Sequence, residues 1–119
     1  MNELTVETRQ LDEITLLYPR GFINAHTVVQ FEGALREVMR QERFKIVLNC
    51  QGLAYIASAG LGAIMGAIEE IRASGGDLRL ADMSDSVGNI FEILGFHRVY
   101  RIFPSEADAI HSFRQGSDA

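Results

Sequence analysis

The stretch YIASAGLGAIM, Tyr55–Met65, places one hydroxyl, Ser58, just ahead of Ala59, Gly60, Leu61 and Gly62. An apolar extended run enters it and an apolar helical run leaves it. Ser58 therefore falls where a helix begins and where the first amides lack partners. Three kinds of chemistry suit a serine there. Its oxygen could accept a hydrogen bond from the first turn as an N-cap. It could carry a phosphoryl group, because a helix start favours negative charge. The added charge of about −1.5 to −2 would then change which surfaces the turn tolerates. It could also act as a nucleophile, which needs a base and an oxyanion pocket. The third reading is the weakest. ASAG is not the Gly-x-Ser-x-Gly elbow, and His26, His97 and His111 stand on other elements.

The remaining reactive side chains form no constellation. Gly60–Gly62 lacks the spacing and the acidic residue of a dinucleotide fingerprint, and no lysine completes a phosphate-binding loop. The three histidines lie far apart with no cysteine cluster, so neither a metal nor another cofactor is expected. Asp12, Asp77, Asp82 and Asp85 fall at turns, where aspartate is common for backbone reasons. His97 reads as a surface or strand-start residue, Phe96 as core, and the methionines as packing. Cys50 is the only cysteine and follows an apolar strand run, so it reads as an inert thiol. No internal disulfide is possible, which points to a reducing, cytoplasmic compartment.

Composition narrows the partners. The chain has 119 residues, 47% of them apolar, enough for one domain over 1–113 with a loose tail over 114–119. Its formal net charge is −5, which argues against a nucleic-acid backbone or an anionic membrane surface as a direct partner. The start, MNELTVETR, has no signal-peptide pattern, and no run reaches the roughly 18 apolar residues of a membrane span.

These residues need elements to hold them. LTVETRQ alternates as a half-buried strand, Asp12 and Glu13 mark a turn, and ITLLYP makes a second strand that Gly21 should end. In NAHTVVQFEGALREVMRQ, Val28, Phe31, Leu35 and Val38 make one helical face, with Asn24 or Thr27 as its cap and Gly33 as a weak point. KIVLNC is a central strand. After the Ser58 junction, Leu61, Ile64, Met65, Ile68 and Ile71 form the next apolar face, closed at Gly75 or Gly76. DLRLAD is a strand. SDSVGNIFEILG is a short helix capped by Ser84 or Ser86 and closed by Gly95. RVYRIF is a last strand, and PSEADAIHSF a last helix in which Ser105 and Asp108 resemble a capping box. The order ββαβαβαβα predicts an α/β fold: a mixed, mostly parallel sheet with an N-terminal hairpin and about four helices.

This order and the junction resemble the STAS domain, as found in anti-sigma factor antagonists. In that family a strand pattern like Asp-Leu-Ser leads through a short loop to Asp-Ser-Ser-Gly-Leu-Gly at a helix start. Here the strand reads LNCQGLAYI and the loop ASAGLG, and the half from Gly75 to Ile110 is similar too. The resemblance spans about Leu4 to Phe113. It implies a non-enzymatic protein-binding module that sequesters an anti-sigma factor serine kinase, thereby freeing a sigma factor. Phosphate at the helix start would release the kinase, and a phosphatase would reset the switch. The partner-binding positions that it implies are Asn24, Ala57, Ser58, Ala59, Gly60, Leu61 and Gly62, with no catalytic residue. Small side chains there permit close backbone approach, and Leu61 is either a half-exposed anchor or core. The match departs where it matters. The family's acceptor serine falls at Ala59, its preceding acid at Ala57, and two further carboxylates at Asn24 and Asn49. Either Ser58 takes over as phosphoacceptor, or the switch is gone. In the second case the domain is an unphosphorylated scaffold or a lipid-transporter-associated subunit.

Overall fold

The computed structural model describes residues 3–115. Strands β1 (Leu4–Leu11) and β2 (Ile14–Ile23) form the expected hairpin around Asp12 and Glu13, and helix α1 spans Val28–Arg40. Strand β3 (Lys45–Asn49) and strand β4 (Leu53–Ile56) precede helix α2 (Ser58–Ala73). Strand β5 (Asp77–Ala81), helix α3 (Asp85–Ile93), a 3-10 turn (Phe96–Arg98), strand β6 (Ile102–Phe103) and helix α4 (Glu106–Arg114) complete the chain. The sheet runs β1-β2-β3-β5-β6 with β4 on β2; β1 is antiparallel to β2 and the other pairings are parallel.

Strand alternation divides the core between two faces. Leu17, Ile46, Leu48, Leu78 and Leu80 face Phe31, Leu35 and Val38 of α1, Leu61, Ile64, Ile68 and Ile71 of α2, and Val87 and Phe91 of α3. Ile14, Leu16, Val47 and Ala81 face Ala109 and Phe113 of α4. Two ion pairs that share the buried Asp77 cross between these layers, one to the exposed Arg72 and one to the buried Arg79. Arg72 Nε of α2 lies 2.9 Å from Asp77 Oδ1, and Arg79 Nε lies 2.9 Å from Asp77 Oδ2. Arg79 also donates to Ser112 Oγ of α4 at 2.8 Å.

Local punctuation is as expected at several ends. Ser84 accepts from Val87 N and Ser105 from Asp108 N. Gly75 takes a left-handed φ of 88°, and Gly76 N donates to Ile71 O, which closes α2 in a Schellman motif. Four expectations need correction. Gly21 does not end β2; it sits at φ 105° in a bulge, where a Cβ would collide with the Glu3 carbonyl. The run LNCQGLAYI is two strands, because the chain turns at Gln51–Gly52 and Gly21 N then donates to Gly52 O at 2.9 Å. The strand read in RVYRIF shrinks to Ile102–Phe103, because Phe96–Arg98 coils and Tyr100 turns into the core against Phe91 and Phe96. Arg114 belongs to α4 rather than to a tail, and residues 116–119 lie outside the described residues.

Candidate functional site

The ends of β2 and β4 lie side by side, with Ile23 opposite Ile56. Ala57 N donates to Ile23 O at 2.8 Å, so the start of α2 is pinned beside Asn24. This bond brings the sequence-predicted residues into one corner. Ala57 is the N-cap in extended backbone, φ −91° and ψ 172°, and its carbonyl accepts from Gly60 N and Leu61 N. Ser58 is already the first helical residue and caps nothing, which corrects the capping reading. The first turn has no side-chain cap and no acidic residue. The amides of Ser58 and Ala59 are thus helix-start donors that the helix does not use.

The predicted residues divide by depth. Ser58, Ala59 and Gly62 are exposed, Ala57 and Asn24 are half-buried, and Gly60 and Leu61 are buried. Gly60 fits because it lacks a side chain: a Cβ would lie 2.5 Å from Ile23 Cγ2 and 2.8 Å from Ile56 Cγ1. Leu61 points into the main core. Gly62 has open space above it. The carboxamide of Asn24 accepts from His26 N at 2.9 Å and Thr27 N at 3.1 Å, while Thr27 Oγ1 accepts from Asn24 N. Asn24 therefore shapes the turn that leads into α1.

Asn49 is not part of this corner. Its Nδ2 donates to Asp82 Oδ2 at 3.3 Å and to Glu106 Oε1 at 3.0 Å, and its Oδ1 accepts from Gln51 N. An amide suits that place because it can donate to two carboxylates at once. Tyr18 feels the same Glu106: burial first, then that carboxylate, push its hydroxyl up to about 12. Cys50 is buried, and burial pushes its thiol up to about 12, as an inert thiol requires.

Sequence reading missed some of the corner's apolar rim. Tyr55, 46% exposed, leans on Phe22 with ring centroids 6.3 Å apart. Val29 is 73% exposed in the first turn of α1; it is the apolar residue left over once Val28 joins the three-and-four spacing. Met65, assigned above to the packed face, is 42% exposed because it stands at that face's edge. Of the three histidines, His26 bonds Asn24 through its backbone amide and His111 pairs with Gln115. No group of three metal-ligating side chains occurs among them, and no described helix is long and apolar enough to cross a membrane.

A mixed sheet with an N-terminal hairpin and a helix that starts at the end of β4 is the architecture, and comparison with known proteins gives its class a name. Residues 5–109 match the STAS domain family, and the chain belongs to it. An anti-sigma-B factor antagonist of Staphylococcus aureus is 27% identical over 92 residues, covering 77% of this chain and 85% of that protein. The crystal structure of an anti-sigma factor antagonist from Mycobacterium paratuberculosis superposes with a TM-score of 0.88 at 17% identity, covering 96% of this chain and 97% of that one. The Bacillus cell fate determinant SpoIIAA in its phosphorylated form superposes with a TM-score of 0.70 at 21% identity, covering 93% and 99%.

Proposed function

We propose that this protein is an anti-sigma factor antagonist: a non-enzymatic module that binds an anti-sigma factor serine kinase at the α2 start and is switched by phosphorylation of Ser58. One observation carries the reading. The outer side of the α2 start, Ser58, Ala59 and Gly62, is exposed, and the first turn is uncharged and uncapped. A partner can approach that backbone closely because Ala57, Ala59 and Gly62 have almost no side chain. A phosphoryl group on Ser58 would meet the free amides and the positive end of the helix. It would also place about two negative charges where the partner's surface must dock. The S. aureus relative is named for antagonism of an anti-sigma factor, and SpoIIAA, of the same fold, exists in a phosphorylated form. Both support the reading. A phosphatase would complete the cycle, and the setting would be the cytoplasm.

A second reading is favoured by Ala59 and Ala57. The family's usual acceptor and the acid before it are both absent, and alanine accepts no phosphate. In that reading the domain binds constitutively, as a scaffold or as a subunit of a lipid transporter. Affinity capture with mass spectrometry identifies the partner. Incubating the purified pair with ATP and measuring intact mass then separates the two readings. The first expects one phosphoryl group on the wild-type protein and none on Ser58→Ala. A captured anti-sigma factor that leaves the mass unchanged supports the second.

A further inference from the structure

Among the described residues, β1 is the longest strand with no partner strand on its outer edge. Among the described residues β1 pairs only with β2, over eight residues from Leu4 to Leu11. Two printed bonds fix which of its groups point outward. Phe22 N donates to Glu3 O, so an odd-numbered residue faces β2. Leu4 O instead accepts from Gln30 Nε2 at 2.8 Å, on the side away from β2. Alternation then turns the amides and carbonyls of Val6, Thr8 and Gln10 outward. Those three positions are symmetric about Thr8.

The side chains are symmetric about the same residue in charge. Glu7 and Arg9 flank Thr8 and are both exposed. Within the chain they make a 3.4 Å pair with 59% and 64% of their side-chain surface open to solvent. Such an exposed pair contributes little to folding, and Arg9 also lies over the Tyr18 ring, 5.1 Å from its centroid. If a second β1 lies antiparallel on this edge with its two-fold axis at Thr8, each Val6 opposes the partner's Gln10. Each Glu7 then opposes the partner's Arg9. The first match completes the outward hydrogen bonds. The second falls at the non-hydrogen-bonded positions, where facing side chains come closest. Leu11, 36% exposed, gains cover over the partner's Thr5.

We propose that β1 is a self-association edge, on which two copies of this chain join their sheets antiparallel about Thr8. The outward backbone groups admit an axis on an even-numbered residue, and the opposite charges of Glu7 and Arg9 select Thr8 among them. No proline stands between Leu4 and Leu11, so each outward amide of the edge can donate to a second strand. The inference does not depend on the reading of Ser58.

Sedimentation equilibrium of the full chain at low salt tests it. The expected result is a monomer–dimer equilibrium that weakens with added salt. Glu7→Arg sets like charges against each other at both symmetric positions and should raise the dissociation constant roughly tenfold. Adding Arg9→Glu to it restores opposite charges and should recover the wild-type constant. Thr8→Pro removes an outward amide and no inward one, so it should abolish the dimer while circular dichroism stays unchanged. A wild-type chain that is monomeric at millimolar concentration overturns the proposal, and the edge is then free for a strand of another protein. A dimer of equal strength in the single and double charge variants overturns it too.

Discussion

Two helix starts, on opposite faces of one sheet, are built in opposite ways. At α4 every device that quiets a helix start is present. Ser105 caps the turn, Asp82 Oδ2 accepts from Glu106 N at 2.9 Å, and Asn49 donates to the neighbouring carboxylate. At α2 none is present: the cap is an alanine and the first turn has no acid. The α4 start is half-buried at Ser105 and Glu106 and exposed at Ala107 and Asp108; its bonds anchor the helix over β3, β5 and β6, and unsatisfied donors there would weaken that anchor. The α2 start leaves its donors and its backbone open, and the docking proposed above requires that openness.

The comparison makes ranked predictions. Asp82→Ala removes the carboxylate from the α4 start and puts alanine at a φ of 58°. It should lower stability by about 2–3 kcal/mol in chemical denaturation. A loss no larger than that of Ser58→Ala would show that the two starts do not differ. Gly60→Ala forces a Cβ against Ile23 and Ile56 and should cost about 1–3 kcal/mol, with α2 displaced; an unchanged denaturation midpoint would contradict the close packing under the corner.

Ala57→Asp should act in the other direction. It supplies the cap and charge that α2 lacks and should raise stability by about 1 kcal/mol. Calorimetric titration should show weaker binding to the captured partner, and Ser58→Asp should weaken it as well. A variant that is more stable and binds equally well would mean that the bare start serves no partner. The smallest effect is a pH dependence at α4. Tyr18 is raised to about 12 in the folded chain. The unfolded chain ionises first, near 10, so this group's share of stability is intact below that pH. It falls as pH rises towards 12. Tyr18→Phe should flatten stability over that window, as read from denaturation midpoints.

Much of this was legible along the chain. The periodic faces of α1 and α3, the Ser84 and Ser105 caps, the Gly75 stop and the hairpin all depend on contacts within a few residues. The Ser58 corner was legible as a junction because a strand pattern meets a helix pattern there. Its depth was not. Gly60, Leu61 and Gly62 look alike as small or apolar residues in a row, yet helix rotation buries two of them and exposes the third. Asn49 looked like a lost family carboxylate until its partners were seen, 33 and 57 residues away.

The amino-acid sequence alone determined the element types, their order and the hydroxyl at the head of α2, because hydrophobic period and turn chemistry are local. Only the tertiary structure decided that Gly21 bends a strand instead of ending it and that β4 joins β2. It also decided that Met65 faces solvent and that Ser58 caps nothing. Each of these depends on which distant backbone lies alongside. Sheet register sets that, and no short window of residues contains it.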